Sequence, residues 1–485
     1  TALPRQQTLR AMMDWSWELL PEPERVFLRR LSVFAGGWTL EAAEAVAGDD
    51  ALDALGQLVN KSLVVMEADR ASAARYRLLE TIRQYTRDKL FEAGAEEGSG
   101  ARNRHLTFYL AFAEEAAPKL TGSEMIDILD KLEAEQDNFR AALVWSLSAD
   151  PLAALRLTAA LAAFWVSRLS ATEAYALTQS ALTVTEARQW DGEAAKTYLA
   201  AKAQTMMGAG SGLFTLGENR AALVAMEESI RLARQIGATR TLAGGLGLGA
   251  IIAGFLGKLD VVRAWAEESN ALARRHGYAW ELAMTASMGT FLALLSNRPI
   301  DPHFSEEVIR LARASGNPWA MAMAYMNVGR VTMFRGHLAD ALPILEQAAA
   351  LFLRVHDRSQ HNACRSEMGH LLRMQGQNAE ATAVYAGTIR VWLELGQRAA
   401  ATHELECFAF IAAGQGNCER AARLFGAAEA LREAIGSSMT PIERREYDAG
   451  VSQLRGLMDE VALAHAWAAG RAMDMDQAID YAAPR

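Results

Sequence analysis

The chain is poor in the features that cross-link a protein or seat it in a bilayer. Three cysteines in 485 residues exclude disulfides as a general stabilising device and point to a reducing, cytoplasmic setting. No secretory leader pattern opens the sequence, which points the same way. No uncharged apolar run reaches the ~18 residues that a membrane-spanning helix needs. The apolar stretch 242–256 is broken by glycines. There is no basic surplus either: 49 Lys and Arg face 58 Asp and Glu, for a net charge of −9. That balance argues against a general nucleic-acid or membrane-binding surface and leaves room for one small binding face.

Signatures of chemistry are also scarce. A phosphate-binding P-loop needs G-x-x-x-x-G-K-[ST], because backbone amides and the lysine cradle the phosphates. The nearest approach is Gly257-Lys258, but Leu259 follows and Ile252 stands where the first glycine belongs. The glycine-rich run 244–249 lacks the preceding strand of a dinucleotide loop and reads as close helix packing. His361 and Cys364, and likewise His403 and Cys407, are spaced to share one helical face. Zinc sites more often show paired cysteines at tight spacing, and cysteine is a common small buried hydrophobe. We therefore expect no metal, no catalytic residue and no enzyme activity on this chain.

What is present is a repeat. Gly217, Gly257, Gly336, Gly376 and Gly416 form a ladder stepping by about forty residues, with Asn297 at the missing rung. Gly237, Gly277, Gly316, Gly396 and Gly436 form a second ladder, offset by half a period, with Asp357 near its empty rung. The intervening stretches are rich in strong helix formers, and glycine is favoured just past a helix end. Each unit thus reads as two antiparallel helices. Gly336-x-x-x-x-Ala341 recurs at Gly376 and Gly416, and Gly329 and Gly369 stand where small residues let paired helices approach. The pattern resembles the tetratricopeptide repeat. The expected fold is all-α: a tetratricopeptide-like α-solenoid of about seven helical pairs, preceded by a small winged-helix domain.

The N-terminal hundred residues lack the period. Helical pattern runs over 4–20, 22–34, 40–47 and 51–60. A short β-rich run at 62–67 and a return at 76–79 follow, and then a helix over 80–93. Three helices and a hairpin are the layout of a winged helix. Its third-helix region offers Asp53, Gln57, Asn60 and Lys61, and acidic residues outnumber basic ones across 1–100. That composition is poor for a groove-reading helix, which ordinarily adds phosphate contacts.

Several segments together carry a resemblance. They are Arg5–Arg10, Trp15-Ser16, Arg29–Gly37, Leu58–Val65, Tyr76–Tyr85, Leu132–Ala142 and Ala422–Leu431. They are similar to the bacterial STAND-class signal-transduction ATPases, which include many LuxR-type and antibiotic-regulatory transcription factors. The resemblance implies a P-loop ATPase module followed by a winged helix and a tetratricopeptide sensor arm. The P-loop is missing here, so the resemblance implies a fragment or a member without its motor, with ATP or ADP only if an upstream module exists. The boundaries it suggests are a winged-helix regulatory domain at 1–98, a helical bridge or cap at 99–150, repeats at 151–436 and a C-terminal helical cap at 437–485. The implied partners are a protein, a peptide or a small inducer, together with an adjoining nucleotide-binding domain.

In tetratricopeptide arrays the first helix of each pair lines the concave face. Carried over on the glycines, that face presents Leu248 and Ile251, then Met284, Met288 and Phe291, then Met323, Met326 and Met333. It continues with Asn327, Arg330, Glu367, His370, Arg373, His403 and Glu406. A Met-rich floor passing into a charged patch suits a peptide or amphipathic partner; methionine at helical spacing is also ordinary core. The expected function is the sensor arm of an ATP-dependent transcriptional regulator. A stand-alone protein-interaction scaffold and direct DNA binding by the winged helix are the alternatives.

Overall fold

The structure, a computed structural model, describes residues 4–67, 74–168, 171–295, 303–437 and 439–483; the side chains of 4–9, 171, 291–295 and 441 lie outside that description. Phe291 and Asn297 therefore lie outside the described residues or side chains. The chain divides into two compact units. One comprises Thr1–Leu120, Ile126–Phe164 and Leu177–Ala201, and the other Thr121–Met125, Trp165–Ala176 and Lys202–Arg485.

The first unit opens with α1 (Pro4–Glu18), α2 (Glu22–Leu31), α3 (Leu40–Ala47) and α4 (Ala51–Asn60). Acids in the first turn of α2 and Arg29 and Arg30 in its last complement the helix dipole. The Thr39 side chain accepts from Ala42 N and starts α3. β1 (Val65–Glu67) pairs antiparallel with β2 (Arg75–Arg77), with Met66 opposite Tyr76. Trp38 adds a bridge to Tyr76 and stacks on Phe34 at 4.9 Å between ring centres. Leu28, Leu31, Val46, Leu55 and Leu58 close the core beneath. This is the helix–helix–helix–hairpin order expected of a winged helix.

α5 (Glu80–Glu92), α6 (Ala95–Ala116), α7 (Met125–Ala134) and α8 (Gln136–Ala149) follow. The sequence pattern suggests one helix over 124–148; the structure breaks it at Glu135. The reason is a buried polar hub. Glu135 accepts from Tyr109 Oη at 2.8 Å, from Asn138 Nδ2 at 2.8 Å and from Arg75. Asn138 also accepts from Ala35 N at 3.0 Å and donates to Gly37 O at 2.8 Å. Two of the segments that carry the family resemblance, Arg29–Gly37 and Leu132–Ala142, are thus clamped together.

α9 (Pro151–Arg168), α10 (Ala171–Glu186), α11 (Gly192–Thr215), α12 (Asn219–Ile236), α13 (Thr239–Phe255) and α14 (Leu259–His276) come next. After them run α15 (Ala279–Leu295), α16 (Phe304–Ser315), α17 (Pro318–Phe334), α18 (Leu338–Arg354), α19 (Arg358–Met374), α20 (Asn378–Glu394), α21 (Arg398–Gly414) and α22 (Cys418–Ile435). Within the second unit the helices from α11 to α22 pack in sequence order as helical pairs, the tetratricopeptide-like solenoid expected. All ten ladder glycines have φ between 65° and 86°, the left-handed turn that ends a helix without a Cβ clash. At the glycine-free rung His356 takes this conformation, with φ 57°, and Asp357 instead caps α19 by accepting from Gln360 N.

The small residues inside the pairs work as expected. A Cβ on Gly329 would come within 2.7 Å of Leu345 Cδ2, and one on Gly369 within 2.7 Å of Tyr385 Cε1. In the glycine-rich run, a Cβ on Gly249 would meet Trp265 Cζ3 at 2.7 Å. α23 (Pro441–Leu457), α24 (Glu460–Arg471) and α25 (Met475–Ala482) complete the second unit. Thr440 with Glu443, and Asp474 with Gln477, form capping boxes that start α23 and α25. Among the described residues no helix is long and apolar enough to cross a membrane.

Candidate functional site

Within the second unit, the first helices of successive pairs are joined by polar bonds between residues one repeat apart. Asn327 on α17 donates to Ser287 Oγ on α15 at 3.0 Å, across 40 residues. Arg330 Nε donates to Glu367 Oε1 on α19 at 2.7 Å, across 37. Ser366 on α19 donates to Glu404 on α21, across 38. The forty-residue period of the sequence thus returns as neighbouring side chains in space.

The residues singled out from sequence divide into two groups. Met288, Met323, Met326 and Asn327 are buried, and Met284 packs partly buried beside Ala283, Val308 and Ala320. These side chains fill space between helices. The polar residues converge instead. Arg330 and Glu367 form a part-buried ion pair. Arg373 Nη2 pairs with Glu446 Oε1 at 2.5 Å, and its guanidinium lies 5.1 Å from the Phe410 ring centre. Glu406 is buried and takes two bonds from Arg432 on α22, at 2.6 and 2.9 Å.

His370, His403 and Cys407 meet at the centre. Cys407 Sγ lies 3.6 Å from His370 Nδ1 and 3.8 Å from His403 Nε2. Tyr385 Oη is 2.7 Å from His370 Nδ1. His403 Nδ1 is 3.1 Å from Glu406 Oε2 and 3.6 Å from Glu443 Oε1. A carboxylate only accepts, so Nδ1 carries the proton and donates. Burial, helped by the charges of His403, Arg373 and Arg330, holds His370 well below the ordinary histidine range. Burial also opposes a charged His403, but the Cys407 sulfur and the carboxylates of Glu443 and Glu406 outweigh it and raise the group well above that range. Burial pushes Glu404 up to about 7 against the hydrogen bonds of Ser366, Thr388 and Trp392.

His361 and Cys364 are not part of this group. His361 Nδ1 is 3.0 Å from Ala349 O, and Cys364 is buried with its thiol pushed up to about 12 by desolvation. Sequence reasoning overlooked Tyr385, Arg432, Glu443 and Glu446, because it considered only first helices. Gly369 was the available signal for Tyr385: a glycine inside a helix marks the place where a ring presses close.

In the first unit, the third-helix region exposes Leu52, Asp53, Gln57 and Asn60, and Lys61 is paired with Glu24. Arg77 pairs with Glu67, and Arg29 and Arg30 both bind Glu97.

Comparison with known proteins agrees with this anatomy. Residues 20–91 match the family model of the winged helix-turn-helix domain. A protein of Mycobacterium tuberculosis named as an HTH-type transcriptional regulator is 29% identical over 360 residues, covering 72% of this chain and 40% of that protein. A second, uncharacterized M. tuberculosis protein is 44% identical over 106 residues, covering 20% of this chain and 27% of that protein. The chain therefore spans well under half the length of these relatives. Among solved structures, a STAND protein with a tetratricopeptide repeat sensor from Pyrococcus horikoshii superposes with TM-score 0.46 at 14% identity, covering 88% of this chain and 66% of that one. A Rap protein complexed with competence and sporulation factor gives TM-score 0.40 at 13% identity, covering 64% of this chain and all of that one. The fold stands on the helical repeat itself, independently of these distant likenesses. The chain carries a winged helix-turn-helix domain and, over most of its length, resembles mycobacterial proteins named as transcriptional regulators.

Proposed function

We propose that this chain is the sensing and regulatory arm of a bacterial transcriptional regulator. In this reading the repeats receive a protein, peptide or small inducer, and the winged helix passes the bound state to an adjoining nucleotide-binding domain. One observation carries it: a winged helix-turn-helix domain and a tetratricopeptide-like array share one chain that is similar, over 72% of its length, to a protein named as a regulator. The receiving surface is the polar seam of Arg330, Glu367, His370, Arg373 and His403. These side chains are part-buried, and Arg373 Nε has no acceptor among the described residues. A ligand carboxylate would satisfy it, and hydrogen bonds to a charged partner are the stronger kind. Signalling then requires the ligand to bind two states of the arm with different affinity.

The role of the winged helix as a packing module, and not as a reader of DNA, is supported by its third-helix region, whose one cation is engaged by Glu24. A gel shift with the full chain at low salt should show no retardation. The regulatory reading is tested genetically. Removing the gene should change a defined set of transcripts, and restoring it with Arg373→Gln should leave that set unrestored while the protein accumulates normally. An unchanged transcript profile after removal would overturn the reading.

A further inference from the structure

Three donor atoms with the chemistry of a zinc site converge in the C-terminal repeats. His370 on α19 and His403 and Cys407 on α21 bring one ligand atom each within 4.8 Å of one another. Around a tetrahedral Zn2+, with Zn–S about 2.3 Å and Zn–N about 2.0 Å, sulfur and nitrogen sit about 3.5 Å apart. The two observed sulfur–nitrogen distances, 3.6 and 3.8 Å, are close to that value. We propose that His370, His403 and Cys407 bind one Zn2+ ion, with a fourth coordination position open to an outside donor.

The fold supplies what such a site needs beyond its ligands. His403 and Cys407 lie four apart on α21 and share a face. His370 arrives from the neighbouring first helix. Glu406 receives the His403 Nδ1 proton, so Nε2 is the atom left to bind a metal. Arg432 fixes Glu406 in turn through two bonds. Tyr385 Oη lies 2.7 Å from His370 Nδ1. Zinc bound at Nδ1 would replace that bond and free the hydroxyl to donate to the thiolate.

Charge balance agrees. Arg330, Arg373 and Arg432 are each matched by Glu367, Glu446 and Glu406. Glu443 remains beside His403, and together with the Cys407 thiolate it offsets a divalent cation. Binding releases to solvent the protons held at Cys407 Sγ and at His403 Nε2, since the metal takes both positions. Sulfur and imidazole donors favour zinc over magnesium or calcium. His403 keeps 20% of its side chain exposed, which gives an ion a way in. None of this depends on the regulatory reading.

The test uses the full chain, stripped with a chelator. Titration with Zn2+ against a chromophoric competitor should show one ion per chain, held more tightly than about 1 μM. Co2+ in place of zinc should give a thiolate charge-transfer band and tetrahedral d–d bands. Cys407→Ser should remove the charge-transfer band and weaken zinc binding about 100-fold or more, and His370→Gln should weaken it at least about 10-fold. Cys364→Ser and Cys418→Ser should change neither. The wild-type spectrum needs no variant, so misfolding of a mutant cannot obscure the result. Absence of the thiolate band at saturating Co2+ overturns the proposal, and so does a band that survives in folded Cys407→Ser.

Discussion

In the first unit, Asn138 and Glu135 direct their polar atoms largely at fixed partners: Ala35 N, Gly37 O, the Tyr109 hydroxyl and the Arg75 guanidinium. In the second, His370, His403 and Cys407 turn theirs on one another. The first arrangement pins two distant segments of main chain and leaves little capacity to spare. The second gathers soft, rotatable donors whose best common partner is an added cation. A buried polar cluster that ends on backbone specifies a shape. One that ends on side chains with matching lone pairs can also bind something.

The sharpest way to break this contrast is to remove an anchor from each cluster. Arg432→Met strips the buried Glu406 carboxylate of its guanidinium and leaves it the bond from His403, and should cost about 3 kcal/mol in denaturant unfolding of the second unit. A loss under about 1 kcal/mol would show that Glu406 escapes to solvent or takes up a proton. Asn138→Leu strands Ala35 N, while Gly37 O keeps its bond from Arg75, and should cost about 1–3 kcal/mol, confined to the first unit, with zinc binding unchanged. If it altered zinc affinity, the two clusters would not be independent.

His105 sharpens the comparison through pH. It is buried, 3.5 Å from Asn138 Oδ1, and desolvation lowers it to about 4. The unfolded chain therefore takes up this proton first, at about pH 6.5, while the folded chain resists until about pH 4. Stability of the first unit should fall as pH drops through that window, by up to about 3 kcal/mol, and then level off. His105→Phe should flatten the profile in pH-dependent melting. The smallest effect belongs to Gly369→Ala. Its methyl group would press on the Tyr385 ring and cost about 1–3 kcal/mol. If the ring yields without loss of stability, Tyr385 does not fix His370.

Much of the fold was legible because it rests on single-residue requirements. A left-handed turn after each helix selects glycine, so Gly217, Gly376 and Gly436 announced the repeat directly. The break at Glu135 was not legible, since the sequence on either side remains helical and only the tertiary hub interrupts it. The site was half legible. Helical spacing paired His403 with Cys407 correctly, yet it offered His361 and Cys364 as companions where the structure brings His370. That choice depends on the lateral register of adjacent helices, which packing around Gly369 and Tyr385 sets and composition does not. Likewise the methionines of α15 and α17 read equally well as an open floor or as filling, and in the structure Met288, Met323 and Met326 are buried.

The bonds that join Ser287 to Asn327, Arg330 to Glu367 and Ser366 to Glu404 each reach one unit along the chain and no farther. Elements coupled only to the next in line behave as a one-dimensional lattice, in which a local disturbance fades with every step. An ion seated between α19 and α21 would therefore stiffen its immediate neighbours most. In hydrogen exchange, its footprint should taper toward the middle of the array, as tension does along a row of springs.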